Sequence, residues 1–350
     1  MRPMKPWWVL SALVVTAFLM APLATAPKPP GAGPKPPPAP ADPVVAYTSL
    51  KGDVWSLGVM NADGSAATTV YNNTKKVENP TWAADRSAIA FTVGYVGSGD
   101  PYELWRVDVN VANGAVSGAD PLLLHTIFTP FNPDYYTEVS PAWSPDGTVI
   151  AFPDQDIDPW LYHPIMKLLR TIPATGGTPT TLYTAEDTYG ISEPTWSHDG
   201  TEIAWVSTRF IEPDTEEYFP IPVDYSIMVL DIPTNTTRTV FGPVTYRLYD
   251  LDWARTQDTI AFYAYSPVSG IYTVDISQPD PVPQLVVAGG DSPTWLPDDA
   301  KIAFVGSQTT QVRKRQVTVR GVWTYEFSTG QQAFVGPGSQ PDWARCDPCP

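Results

Sequence analysis

Cysteine, histidine and positive charge are all scarce in this chain. Of its 350 residues only 2 are cysteine and 3 histidine, and 21 Lys and Arg stand against 37 Asp and Glu. A protein that binds nucleic acid needs a basic footprint, so a formal charge of −16 argues against that class of partner. Cys346 and Cys349 lie in a terminal Cys-Asp-Pro-Cys, where they can close a small local disulfide; a redox or metal role would need a helix start or two further ligands, which the sequence does not show. His125, His163 and His198 fall in unrelated contexts, with no nucleophile or ligand spacing beside them. A G-x-S-x-G elbow, a phosphate-cradling loop and a dinucleotide fingerprint are also missing. No catalytic residue is assigned on these grounds, and the chemistry expected is binding rather than turnover.

Proline, by contrast, is abundant. Its 40 copies work against helices, because each removes a donor and clashes with the preceding turn. Aromatic residues make up 12% of the chain, which is ample material for a core. An all-β fold is the expectation.

Residues 1–26 stand apart. Arg2 and Lys5 precede an uncharged apolar run from Trp7 to Ala26 that ends in Ala24-Thr25-Ala26. The pattern reads either as a cleaved signal peptide or as a retained membrane anchor with its basic end cytoplasmic. Residues 27–43 hold nine prolines in seventeen positions and form a semi-rigid extended linker. Residues 44–350 are left as the folded domain, with 36 acids against 17 cations. The location implied is periplasmic, secreted, or anchored on the outer side of the cytoplasmic membrane, with membrane contact through the N-terminal segment alone.

One motif recurs along that domain. Asn79-Pro-Thr-Trp82 leads to Ile89-Ala-Phe91, Ser140-Pro-Ala-Trp143-Ser-Pro-Asp-Gly147 to Ile150-Ala-Phe152, and Glu193-Pro-Thr-Trp196-Ser-His-Asp-Gly200 to Ile203-Ala-Trp205. It returns before Trp253 and Trp295, and Gln340-Pro-Asp-Trp343 is a closing half-copy. The tryptophans are 61, 53, 57, 42 and 48 residues apart, a blade-sized period. Alternating strands follow each copy, as in Val54–Met60, Ile227–Asp231 and Ile271–Asp275, and turn residues separate them. Four strands per unit and six units predict a six-bladed β-propeller of antiparallel blades. Because Val44–Thr48 reads as a second strand and Trp343 ends a first one, both chain ends are expected to complete one blade. The six tryptophans are expected to be core, and the Asp-Gly pairs at 146–147 and 199–200 to be turns.

These motifs resemble those of the TolB-like propellers, a WD40-like repeat family whose unit reads P-x-W-S-P-D-G-x-x-I-A-F. The resemblance covers everything after residue 43 and implies the propeller fold. True TolB proteins carry an α/β domain before the propeller; here the proline linker occupies that place.

Two groups of residues are candidates for a site. Glu78, Glu138, Glu193, Asp250 and Asp291 lie three to five positions before their tryptophans, where inner strands begin at the channel mouth. Gathered carboxylates there would recruit a cation, calcium being the natural one, and no other cofactor is expected. Asp154-x-Asp-x-Asp158 starts like a calcium loop, but Pro159 takes the place of its glycine. The second group is aromatic: Tyr135, Tyr136, Trp160, Tyr162, Tyr189, Tyr218, Phe219 and Tyr249 lie in acidic loops on the same face. That mixture suits a protein or carbohydrate of the cell envelope. The reading is a monomeric, exported binding or scaffold propeller. Its alternatives are a glycan hydrolase or lyase with carboxylates at the channel mouth, and a purely architectural envelope protein.

Overall fold

The computed structural model describes residues 44–94, 101–112, 115–127, 139–155, 165–211, 221–312 and 315–345, and the structural statements that follow concern those residues. The segments 1–43 and 346–350, with the interpretations placed on them, lie outside this set.

Twenty-four strands form six four-stranded antiparallel sheets. Blade one holds β1 (Val45–Lys51), β2 (Val54–Met60) and β3 (Thr68–Asn73). Blade two holds β4 (Lys76–Trp82), β5 (Ala88–Gly94), β6 (Tyr102–Ala112) and β7 (Ala115–Ile127). Blade three is β8 (Ala142–Trp143), β9 (Val149–Asp154), β10 (Leu168–Pro173) and β11 (Thr180–Thr184). Blade four follows with β12 (Tyr189–Trp196), β13 (Glu202–Ile211), β14 (Ile221–Asp231) and β15 (Thr236–Val244). In blade five the strands are β16 (Leu248–Trp253), β17 (Thr259–Ala264), β18 (Gly270–Asp275) and β19 (Gln284–Ala288). Blade six comprises β20 (Asp291–Trp295), β21 (Lys301–Val312), β22 (Arg315–Glu326) and β23 (Gln331–Gly336), and the chain returns as β24 (Ser339–Trp343).

The order of the first sheet is β24-β1-β2-β3, so blade one is completed by both ends of the domain, as the half-copy of the motif predicted. Val45 lies opposite Trp343, Ala46 opposite Asp342 and Thr48 opposite Ser339. Closure of this kind covers the edge of β1 that the three N-terminal strands would otherwise leave open.

The repeated Ile-Ala-Phe has a physical cause. It lies on the second strand of each blade, which is covered on both faces by neighbouring blades and therefore reads as an unbroken apolar run. β5 is buried along its whole length, with Ile89, Ala90 and Phe91 fully so. Core clusters accordingly straddle blade boundaries, one joining blades four and five around Trp253 and another joining blades two and three around Trp143. All six motif tryptophans are buried. The Asp-Gly turns are as expected. Asp146 accepts from the Thr148 amide at 3.0 Å and Asp199 from the Thr201 amide at 3.0 Å, while Gly147 and Gly200 both take φ of 72°. The hydrogen bonds from Thr201 and Ser197 hold the Asp199 carboxyl down at about 2.

Candidate functional site: the channel and its mouth

Each inner strand presents the same three positions to the channel, fixed by their offset from the tryptophan. Nearest the mouth stand Asn79, Ser140, Glu193, Asp250, Ser292 and Gln340; next come five prolines and Leu251; then Thr81, Ala142, Thr195, Asp252, Thr294 and Asp342. Together with Arg345 they line a cavity of about 90 Å³. That is room for several water molecules or for one ion with its hydration shell.

A backbone device aims the mouth residues inward. Asn79, Glu193, Asp250, Ser292 and Gln340 have φ between 47° and 53°, the left-handed region, directly before the proline or Leu251. The pairing register shifts at the same place in β4, β12, β16 and β20, which marks a bulge. A left-handed residue bearing a side chain costs roughly 1 to 2 kcal/mol, less for Asn and Asp, so five such residues at equivalent positions are a built feature. Proline fits the next position because the bulge leaves its missing N–H unneeded.

The mouth residues then bond between blades in three pairs. Gln340 Nε2 donates to Asn79 Oδ1 at 2.7 Å, Ser140 Oγ donates to Glu193 Oε2 at 2.9 Å, and the Ser292 amide donates to Asp250 Oδ2 at 3.2 Å. One level deeper the links run around the ring. The amides of Trp143, Trp253, Trp295, Trp343 and Trp82 donate in turn to Thr81, Thr195, Asp252, Thr294 and Asp342 of the preceding blade, at 2.7 to 3.4 Å. Ala142 has no side-chain acceptor to offer the Trp196 amide, so the sixth link is missing; the Trp196 indole donates to the Ala142 carbonyl at 3.0 Å, as the Trp295 indole does to the Asp252 carbonyl at 3.0 Å. Replacing Ala142 by Thr supplies that acceptor, and a rise in chemical-denaturation stability of about 0.5 to 1.5 kcal/mol is expected. An unchanged or lowered midpoint would show that the threonine does not reach the Trp196 amide.

Beneath this ring lies a charged floor. Arg255 forms a bidentate pair with Asp252 at 2.8 and 2.9 Å and also donates to the Trp253 carbonyl at 3.0 Å. Arg345, two residues past the tryptophan of the closing strand, crosses to blades four and five, where it meets the Trp196 carbonyl at 3.3 Å and Asp252 at 3.6 Å. Arg255 and Arg345 occupy the repeat position that is proline after Trp143 and Trp295. Desolvation, reinforced by the Asp252 charge against the pull of Arg255 and Arg345, pushes the Asp342 carboxyl up to about 7. Desolvation and the facing Arg255 lower Arg345 to about 10.

Of the acids singled out from sequence, Glu193 and Asp250 line the cavity. Glu78 and Asp291 stand one residue outside the fixed offset and pair on their own blades, Glu78 with Lys76 and Asp291 with Arg320 at 2.8 Å. Glu138 lies outside the described residues. Among those residues no three His, Cys, Asp or Glu side chains gather around a point where one metal ion would touch them all. The Asp154 carboxylate is shared between Arg170 at 2.8 Å and His125 at 3.0 Å.

Of the aromatic candidates, Tyr189 and Tyr249 are described; Tyr135, Tyr136, Trp160, Tyr162, Tyr218 and Phe219 are not. Tyr189 begins β12 and is half-buried. Tyr249 belongs to a cluster that sequence reading missed: Tyr263 and Tyr265 have ring centres 5.9 Å from it and 5.1 Å from each other, and the Arg247 guanidinium lies 5.0 Å from its ring. Burial raises the Tyr263 hydroxyl above its ordinary range, while Tyr265 is 61% exposed. The signal was available, since Tyr263 pairs directly with Tyr249 and Tyr265 follows the end of the same strand.

A closed six-bladed propeller with a hydrogen-bonded channel and an aromatic mouth is thus the class of protein that fold and site define. No protein-family model and no curated protein matches the sequence. Among solved structures, TolB from Acinetobacter baumannii is similar with a TM-score of 0.58 at 13% identity, over 88% of this chain and 68% of that one. A putative TolB from Agrobacterium tumefaciens matches with a TM-score of 0.54 at 16% identity, over 87% of this chain and 95% of that one. A chain of a nidogen/laminin complex gives a TM-score of 0.55 at 8% identity, over 87% and 98%. What is shared at these identities is the fold, that of a TolB-like β-propeller.

Proposed function

We propose that this is an exported, non-catalytic propeller that captures a protein or glycan of the cell envelope on the face surrounding the channel mouth. The observation that carries the reading is the cluster of Arg247, Tyr249, Tyr263 and Tyr265, which combines exposed ring surface with hydroxyl and guanidinium donors beside the channel. Such amphipathic rings dominate binding surfaces because they supply contact area at small entropic cost. The acidic aromatic segments 128–136, 154–162 and 210–219, which lie almost wholly outside the described residues, are expected from their place in the repeat to add to this surface. Export rests on the basic and then apolar character of residues 1–26. A nidogen/laminin complex among the similar structures adds a precedent for the fold in protein assemblies.

The test is capture from envelope extract together with binding to a glycan array. Alanine at Tyr265, Tyr135, Trp160 or Tyr218 is expected to weaken capture without shifting the melting temperature. Release of product from an oligosaccharide, abolished by Glu193→Gln, would replace this reading with the hydrolase or lyase. Calcium enters as one arm of the same experiment: capture unchanged by chelation would remove the ion from the site.

A further inference from the structure

β21 and β22 pair along twelve rungs, from Lys301 opposite Glu326 to Val312 opposite Arg315. Their neighbours in blade six stop much sooner. β20 follows β21 only to Val305, and β23 follows β22 only to Val322. Seven rungs, from Gly306 opposite Gly321 outward, therefore run past the blade as a two-stranded ribbon, and among the described residues no strand pairs with either of its edges there. The hairpin of β6 and β7 also outruns its blade, but it is covered by blade one: Gly118 lies so close to the Val70 carbonyl that no side chain would fit.

The ribbon of blade six is open on both faces. Arg315 through Arg320 are all exposed, Val317 at 41% and Val319 at 39%. The Thr309 and Thr318 hydroxyls, 2.8 Å apart, tie the two strands together on the other face from these valines. An isolated two-stranded ribbon is marginally stable in water, and unpaired backbone edges template the addition of another strand.

Its charge is opposite to that of the body. From Ala300 to Tyr325 there are five cations, Lys301, Arg313, Lys314, Arg315 and Arg320, and no acid; the rest of the chain after residue 43 has 36 acids against 12 cations. Arg320 is paired with Asp291 at 2.8 Å, and Arg313, Lys314 and Arg315 follow one another in the sequence from the end of β21 to the first residue of β22. Between Val305 and Val322 there is no aromatic residue, whereas hairpins that enter a lipid interface carry Trp, Tyr or Phe.

We propose that this ribbon is a docking arm for an extended acidic polypeptide segment, which adds as a third strand along one of its open edges. Main-chain hydrogen bonds supply the affinity and the terminal cations set partner choice and approach rate. The inference goes beyond the capture proposed at the channel mouth and does not depend on it.

The test uses the full chain and three probes: a fluorescent peptide alternating glutamate with valine and threonine, its counterpart with lysine for glutamate, and phosphatidylglycerol vesicles. The glutamate peptide is expected to bind, more weakly as salt rises, and to protect one edge of the ribbon from amide exchange. Arg313→Glu, Lys314→Glu and Arg315→Glu together should cost about tenfold in affinity with an unchanged melting temperature. Replacing residues 308–319 by Asn-Gly, which removes five of the seven rungs beyond the blade, should abolish binding. Equal binding by the shortened variant, equal binding of the lysine peptide, or uptake by vesicles without peptide binding would overturn the proposal.

Discussion

Deleting residues 338–350 is expected to lower the melting temperature of the whole propeller in a single cooperative step, or to prevent folding altogether. The deletion removes β24, the inner strand of blade one, and exposes the edge of β1 that faces Trp343, Asp342 and Ser339. It takes away the buried Trp343, whose loss alone is of the order of 3 to 5 kcal/mol. With it go the Gln340 to Asn79 bond, the Asp342 acceptor for the Trp82 amide and the Arg345 strut to blades four and five. Stabilities of ordinary domains are about 5 to 15 kcal/mol, so a loss of this size is felt everywhere at once. Calorimetry or circular dichroism would decide: a main transition left in place, with fraying confined to blade one, would mean that the ring does not depend on its closure.

The second large effect concerns the floor of the channel. Arg255→Met is expected to cost about 3 to 5 kcal/mol, because it leaves the Asp252 carboxylate buried without its bidentate partner. Asp342 gives the same region a pH dependence. Its folded value of about 7 lies above the ordinary carboxyl value of 3.8, so between those limits the native state holds a proton that the unfolded chain releases. Stability should therefore fall as pH rises from about 4 through 7 and level off above. In Asp342→Asn that slope should vanish, with the variant more stable than the parent at alkaline pH and similar to it in acid. A variant that keeps the parent's slope would place the titrating group elsewhere.

The fold was largely legible in the sequence because its periodicity has a repeated physical cause. Each Trp fills the same inter-blade gap, each Ile-Ala-Phe lies on a strand covered on both faces, and each Asp-Gly closes the same turn. The site was legible only in part. A window of three to five positions before the tryptophan takes in Glu78 and Asp291 as well. Holding the offset constant, as the bulge does, instead selects Asn79, Ser140, Glu193, Asp250, Ser292 and Gln340 at the mouth and brings out Asp252 and Asp342 below them. Arg255 and Arg345 give no signal in the sequence because they stand where other repeats have proline, a position that reads as turn chemistry.

By itself, then, the sequence determined the class of fold, the number of blades and the closure at blade one, since these follow from spacing and from local strand and turn preferences. Which acids face the channel, which of them burial beside the arginine floor holds protonated towards neutral pH, and that β21 and β22 of blade six form a ribbon reaching past its neighbours were decided by tertiary structure alone. The reason is one of register. A single-residue bulge, or a strand seven rungs longer than the one beside it, changes what a side chain meets while leaving the repeat pattern in the sequence unaltered.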